Sequence, residues 1–155
     1  MIKCYNFDVV CQEIPDEVTL ALNISGCPNH CKGCHSPWLW KDEGVLLDEK
    51  FLTLLVERYK SDITCICFMG GDQEPATVNS LASFLKSNYP DIKTAWYSGL
   101  EEIHPSISLS NFDFIKIGPY IEERGSLRSP NTNQKFFFVG EGGELTEYHF
   151  PAKNG

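Results

Sequence analysis

The sequence predicts an α/β fold, a partial (open) β/α barrel of about five or six mainly parallel strands. Short apolar runs typical of buried strands alternate along the chain with amphipathic stretches typical of helices. Glycine-containing turns follow several of the predicted strands. The chain has 155 residues, the usual size of one domain, so we expect a single domain over residues 1–155.

The first half of the chain contains two predicted strands and one predicted helix. Residues 18–24 alternate between apolar and smaller or polar side chains, which indicates a strand that runs into a cysteine-rich loop. Asp48 is a candidate N-cap for a helix whose apolar residues, within 51–59, fall on one side. Residues 63–69 form a short apolar run that ends at Gly70-Gly71-Asp72, as expected of a buried strand.

The second half continues the alternation. Apolar residues within 78–85 predict a second helix, which closes near Pro90. Residues 93–97, 112–117 and 134–139 predict three further strands, and a glycine-rich turn leads into a short final strand. Because the carboxyl ends of parallel strands meet at one edge, we expect the cysteine loop and the turns after three later strands to face one cavity.

Composition and charge exclude several classes of protein. The formal net charge is −8, which argues against a nucleic-acid partner, because such partners require lysine and arginine to neutralise phosphates. No apolar run reaches the roughly 18 residues of a membrane-spanning helix, and the N-terminal residues lack the apolar core of a signal peptide. We therefore expect a cytoplasmic protein without a membrane partner.

The seven cysteines divide into one group and four scattered residues. An odd count without a secretion signal is a poor disulfide framework, so the group Cys27, Cys31 and Cys34 indicates metal binding or catalysis. Cys65 and Cys67 lie in an apolar run and are expected to be small buried side chains.

The spacing of the cysteine group is Cys-x3-Cys-x2-Cys. A cubane iron–sulfur cluster normally takes four thiolates, so three leave one iron open to a substrate. A conventional ferredoxin is disfavoured because its fourth ligand is missing. A zinc site completed by His30 or His35 is the alternative, although zinc modules usually carry separated cysteine pairs and no second Cys-x2-Cys lies downstream in the sequence.

The cysteine loop resembles the signature of the radical S-adenosylmethionine superfamily. Residues 68–75 resemble the Gly-Gly-Glu turn of that superfamily in an Asp-containing form. Residues 94–99, 113–121 and 132–134 resemble segments of the anaerobic (class III) ribonucleoside-triphosphate reductase-activating proteins, in the order of that family. The short chain is also similar to these activators, which lack the ferredoxin-like insert of other glycyl radical activases.

The resemblance implies two cofactors, one 4Fe-4S cluster and S-adenosylmethionine. Cys27, Cys31 and Cys34 would ligate the cluster, and the implied cofactor-binding residues are Gly33, Cys34, His35, Gly70, Gly71, Asp72 and Lys116. The glycine carbonyls with Asp72 would bind the methionine ammonium, and Lys116 would pair with its carboxylate. For Lys116, a solvent-facing position is equally open.

The resemblance leaves several neighbouring side chains with two interpretations. Tyr97 and Ser98 could line the adenosine pocket, or they could be a core tyrosine and a turn serine. Trp38 and Trp40 could shield the cluster or dock a partner. The pair Asn133-Gln134 is a marker of the resembled family, and the sequence alone does not explain its physical role.

The implied activity is that of an iron–sulfur oxidoreductase. The reduced cluster would cleave S-adenosylmethionine to methionine and a 5'-deoxyadenosyl radical, which would abstract hydrogen from a glycine of the partner reductase. A flavodoxin- or ferredoxin-type protein would donate the electron, and no catalytic residue beyond the cluster is expected. The alternatives are an activase of another glycyl radical enzyme, a small-molecule radical enzyme, and a non-catalytic zinc or electron-transfer module.

Overall fold

The computed structural model describes residues 2–11, 13–26, 44–121, 123, 124, 127, 129 and 132–150. The cysteine loop therefore lies outside the described residues. Within them the chain forms one eight-stranded sheet and two α-helices. In chain order the elements are β1 (Lys3–Val10), β2 (Thr19–Ile24), β3 (Val45–Leu46), α1 (Glu49–Tyr59), β4 (Cys65–Met69), α2 (Pro75–Asn88), β5 (Lys93–Tyr97), β6 (Phe114–Ile117), β7 (Lys135–Val139) and β8 (Leu145–Tyr148).

The sheet is mixed, with the strand order β3-β1-β2-β4-β5-β6-β7-β8. The central strands β2, β4, β5 and β6 are parallel. The strands on both sides of this block pair antiparallel with their neighbours. The predicted partial barrel of five or six mainly parallel strands is therefore wrong, because half of the eight described strands are antiparallel additions and only two helices accompany them.

The antiparallel direction of β7 follows from how the chain leaves β6. Ile117 at the end of β6 pairs with Lys135 at the start of β7, so the connection stays at one edge of the sheet. A parallel neighbour would need a crossover to the opposite edge, which usually contains a helix. Among the described residues, no α-helix lies between these two strands.

The predicted elements are largely confirmed at the level of single strands and helices. The strand at 93–97 is found at β5 as predicted, and the predicted strands at 18–24, 63–69, 112–117 and 134–139 differ from β2, β4, β6 and β7 by one or two residues at their starts. Leu52, Leu85 and Trp96 belong to a buried core shared by the helices and one face of the sheet. In the part of the chain that the structure describes, neither helix has the length and apolar character needed to cross a membrane.

The opposite face of the sheet has a second, smaller apolar cluster. It contains Cys65, Cys67, Phe114 and Phe136, together with Ile14 from the connection between β1 and β2. Ile14, Cys65 and Cys67 have no exposed surface, which confirms the prediction that these two cysteines are buried. The connection between β1 and β2 therefore covers part of this face of the sheet.

Asp48 caps α1 as predicted, and its removal should weaken the helix. Its Oδ1 accepts a hydrogen bond from the Phe51 backbone N–H at 2.9 Å. We expect Asp48→Ala to lower the free energy of unfolding by about 1 kcal/mol in urea titrations. Asp48→Ser keeps a capping oxygen and should retain most of the stability, whereas equal losses for both variants would contradict the capping role.

Candidate functional site

The carboxyl ends of the four parallel strands lie side by side. One row of directly paired residues crosses them, consisting of Asn23, Met69, Tyr97 and Lys116. The segments that follow the four strands therefore begin at one edge, namely Ser25-Gly26, Gly70-Gly71-Asp72, Ser98-Gly99 and Gly118-Pro119. The last three are turns that the sequence predicted to face one cavity together with the cysteine loop, and Ser25-Gly26 leads into that segment.

The Gly70-Gly71 turn depends on its glycines. Their φ angles are +110° and +86°, a backbone conformation that L side chains rarely adopt. A Cβ on Gly71 would lie 2.6 Å from the Val78 Cγ2 atom, so the glycine also lets α2 pack against the turn. The Gly70 carbonyl accepts a hydrogen bond from the Trp96 Nε1–H at 2.7 Å, which fixes the orientation of this peptide.

Asp72 joins the turn after β4 to the turn after β5. Asp72 is 9% exposed, and its Oδ1 accepts a hydrogen bond from the Ser98 hydroxyl at 2.7 Å. Its Oδ2 accepts from the Gly99 backbone N–H at 2.8 Å. Because hydrogen bonds to a carboxylate are stronger than neutral ones, Asp72 holds these two turns in a fixed arrangement.

Lys116 places a positive charge at the same edge. Its ammonium donates hydrogen bonds to the Ser98 and Gly118 carbonyls, both at 3.1 Å. The ammonium also lies 5.8 Å from the centroid of the Tyr97 ring. The side chain is half-buried between the turns after β5 and β6, so it does not project freely into solvent.

Tyr97 and Ser98 both take part in the packing of the protein. The Tyr97 hydroxyl donates a hydrogen bond to the Glu13 carbonyl, and its ring meets Phe136 edge-on at a centroid distance of 6.1 Å. Ser98 is 1% exposed, and its hydroxyl oxygen accepts from the Leu100 N–H at 3.0 Å. These contacts support the interpretation of a core tyrosine and a turn serine.

Asn133-Gln134 fixes the turn after β6. The Asn133 side-chain amide donates to the Pro119 carbonyl at 3.0 Å, and the Gln134 side-chain amide donates to the Gly118 carbonyl at 3.4 Å. A Cβ on Gly118, whose φ is +106°, would lie 3.0 Å from the Gln134 Cα. These contacts give the pair a physical role that the sequence did not explain.

The residues on both sides of the cysteine segment lie against β1. The Ser25 N–H donates to the Lys3 carbonyl at 3.0 Å, and its own carbonyl accepts from the Gln73 side-chain amide at 2.9 Å. At the other side, a Cβ on Gly44 would lie 2.2 Å from the Cys4 carbonyl oxygen. Sequence reasoning missed Gln73 and Gly44, although Gln73 directly follows the Gly-Gly-Asp turn.

The predicted ligands and their neighbours lie outside the described part of the chain. These are Cys27, Gly33, Cys34 and His35, together with Cys31, His30, Trp38 and Trp40. Gly70, Gly71, Asp72 and Lys116 are described and lie at the carboxyl ends of the parallel strands. The turn after β4 contacts Ser25, which leads into the cysteine segment, whereas Lys116 lies on β6, two strands beyond that turn.

The described cysteines on the sheet differ from the predicted ligands in their chemistry. Burial raises the pKa of the Cys4 thiol to about 11, and it raises the pKa of the Cys65 and Cys67 thiols further above the usual range. Metal ligation requires the thiolate, which this burial disfavours. These thiols therefore behave as small apolar side chains, as the sequence predicted for Cys65 and Cys67.

The class of protein follows from the comparison of the chain with known families. In sequence, Cys27, Cys31 and Cys34 follow β2, the first strand of the parallel block, and the carboxyl end of such a strand is a suitable place for an iron–sulfur cluster. Residues 17–134 match the family described as a 4Fe-4S single cluster domain. This match spans more than half of the chain, so the chain belongs to that family and is an iron–sulfur protein. No curated protein and no solved structure matched the chain.

The family match confirms the predicted cluster in its general form. It extends from the residue pair before β2 to Gln134, and thus includes the cysteine segment, the Gly-Gly-Asp turn and Lys116. It favours a cluster over the zinc site that His30 or His35 could complete. The donor set also fits, because the matched segment includes the closely spaced Cys27, Cys31 and Cys34, and thiolates are the usual ligands of such clusters.

Proposed function

We propose that this protein reductively cleaves S-adenosylmethionine and generates the glycyl radical on anaerobic ribonucleoside-triphosphate reductase. The observation that carries the proposal is the meeting of three features at one edge of the sheet. The residues that lead into the cysteine segment, the Gly-Gly-Asp turn and the Lys116 ammonium lie at the carboxyl ends of β2, β4 and β6, within one parallel block of four strands. Carboxyl ends of parallel strands are common ligand sites in such sheets.

Cys27, Cys31 and Cys34 would hold the cluster in this proposal. When bound, the cluster would supply an open iron position and, once reduced by the electron donor, the electron for cleavage of the carbon–sulfur bond of S-adenosylmethionine. Gly33 and His35 adjoin the last ligand in sequence, and they would lie near the adenosine.

The described residues would bind and orient the methionine part of S-adenosylmethionine. The conformation of Gly70 and Gly71 allows backbone to approach a ligand closely. Each carbonyl already accepts one hydrogen bond, from the Trp96 Nε1–H and the Glu74 N–H respectively, and its second lone pair would accept from the methionine amino group. Asp72 adds a negative charge next to these carbonyls while it holds the turn in place. Lys116 supplies the positive charge that would pair with the carboxylate.

The partner assignment depends on the resemblance of residues 94–99, 113–121 and 132–134 to the reductase activators. One of these segments, through Asn133-Gln134, contacts the turn after β6 at the same strand ends as the proposed cofactor site. A flavodoxin- or ferredoxin-type electron donor and a cytoplasmic location belong to the same proposal. Activation of another glycyl radical enzyme is the second candidate.

Anaerobic purification tests the cofactor part of the proposal. We expect a brown protein with about four irons per chain, as a cubane cluster requires. With reductant and S-adenosylmethionine it should release methionine and 5'-deoxyadenosine in equal amounts. A colourless protein that contains one zinc would contradict the proposal, as would an iron-loaded protein that leaves S-adenosylmethionine intact.

Lys116→Met should weaken binding of S-adenosylmethionine. A hydrogen bond to a charged group is worth about 1.5–3 kcal/mol, so we expect the KM to rise by at least about ten-fold. Lys60→Met is the matched control, because its exposed ammonium pairs with Glu57 on α1 at 2.9 Å. Steady-state assays of 5'-deoxyadenosine formation measure both. Equal KM values for the Lys116 variant and the control would contradict the role of Lys116.

A further inference from the structure

We propose that Gln73 is a positioning residue that sets the distance between the start of the cysteine segment and the Gly-Gly-Asp turn. The proposal rests on the proposed function, in which the cluster and S-adenosylmethionine must be held next to each other. Gln73 lies directly after Asp72 and does not belong to the residues that would contact either cofactor. Gln73 would therefore act indirectly, through its hydrogen bond to the backbone of Ser25.

The geometry at Ser25 supports this role. The Gln73 Nε2 donates a hydrogen bond to the Ser25 carbonyl at 2.9 Å. The Ser25 N–H donates to the Lys3 carbonyl at 3.0 Å, so this residue is held from the turn and from β1. Ser25 has no exposed surface, and Gly26 alone separates it from Cys27. A displacement of Ser25 would thus be passed to the first predicted ligand within one residue.

The turn that carries Gln73 is itself fixed. Asp72 is bound to Ser98 and Gly99, and the Glu74 N–H donates to the Gly71 carbonyl at 3.0 Å. The Gln73 amide therefore extends from a rigid frame, and its hydrogen bond transmits the position of that frame to Ser25. A bond from a flexible turn would not define a distance in this way.

The exposure of Gln73 argues against a role in overall stability. Gln73 is an exposed residue and its hydrogen bond to the Ser25 carbonyl is part-buried, so water competes for the amide and the bond contributes only modestly to the free energy of folding. Ordering a glutamine side chain also has an entropic cost. Loss of this bond should therefore affect the relative position of the two sites more than the folding of the protein.

Two substitutions and a matched control test the proposal on the anaerobic, cluster-loaded full chain. Gln73→Ala removes the amide, and Gln73→Glu keeps the shape but replaces the donor with an acceptor that faces the Ser25 carbonyl. Asn88→Ala is the control, because the Asn88 amide is likewise exposed and donates to the Phe84 backbone carbonyl at 2.9 Å, at the other end of α2. The measurements are the melting temperature, the rate of iron release to a chelator, and the half-saturating S-adenosylmethionine concentration from the electron paramagnetic resonance spectrum of the reduced cluster.

We expect both Gln73 variants to raise the half-saturating concentration by about five-fold and to release iron faster, with melting temperatures close to that of Asn88→Ala. The control should match the wild type in iron release and half-saturation. If the wild-type spectrum responds to S-adenosylmethionine and the Gln73 variants match the wild type, the positioning role is overturned and the proposed function stands. If the wild-type spectrum does not respond, the proposed function is overturned.

Discussion

Cys31→Ala should abolish the reductive cleavage of S-adenosylmethionine, whereas Cys65→Ala should leave it intact. Removal of one of three thiolates from the predicted cluster site leaves too few ligands for the cluster. Cys65 is fully buried in the sheet, and burial holds the pKa of its thiol far above the usual range, so it does not supply a thiolate. Its replacement should lower the free energy of unfolding by about 1 kcal/mol.

Iron content and 5'-deoxyadenosine formation measure this contrast in anaerobically purified protein. The Cys31 variant should lose the iron and the activity together, and the Cys65 variant should keep both. Loss of iron from both variants to the same degree would contradict the division of the cysteines into ligands and core residues.

Gly44→Ala should destabilise the protein and weaken iron retention. The Gly44 φ is +127°, a conformation available almost only to glycine, and a Cβ there would lie 2.2 Å from the Cys4 carbonyl oxygen. The clash is with backbone that pairs with β3, so a flexible side chain cannot relieve it. We expect a loss of about 3 kcal/mol or more in the free energy of unfolding.

Gly142→Ala is the control for this prediction. A Cβ on Gly142 would meet the Glu144 Oε2 at 2.7 Å, at the end of an exposed side chain that can move away. Urea unfolding and iron content should therefore be close to those of the wild type. If Gly44→Ala is as stable as Gly142→Ala and retains its iron, the result contradicts the claim that the close contact of Gly44 with β1 is needed for folding and for iron retention.

Local sequence signals predicted single elements better than their arrangement. The cap at Asp48 and the strand at 93–97 depend on neighbouring residues, and the structure confirms both. Strand β1 was missed although Tyr5, Phe7 and Val9 alternate with polar residues, as in a strand with one polar face. The direction of β7 depends on the path of the chain after β6, which no local pattern encodes.

In the candidate site, too, local motifs predicted individual residues, whereas the contacts between distant residues depend on the fold. The Gly-Gly-Asp turn and Lys116 were predicted as site residues from the resemblance to the radical S-adenosylmethionine superfamily and its activases. The contact between Gln73 and Ser25 joins residues 48 positions apart, and the fold alone reveals it. The role of Asn133-Gln134 likewise became explicable only when the structure placed these side chains on the turn after β6.

The most direct test of the account combines the reduced protein, S-adenosylmethionine and an anaerobic ribonucleoside-triphosphate reductase under argon. We expect the electron paramagnetic resonance signal of a glycyl radical on the reductase, in amounts that increase with 5'-deoxyadenosine. The Cys31→Ala variant should give no signal under the same conditions. If 5'-deoxyadenosine forms but none of the anaerobic reductases offered acquires a glycyl radical, the proposed activation of that enzyme is contradicted.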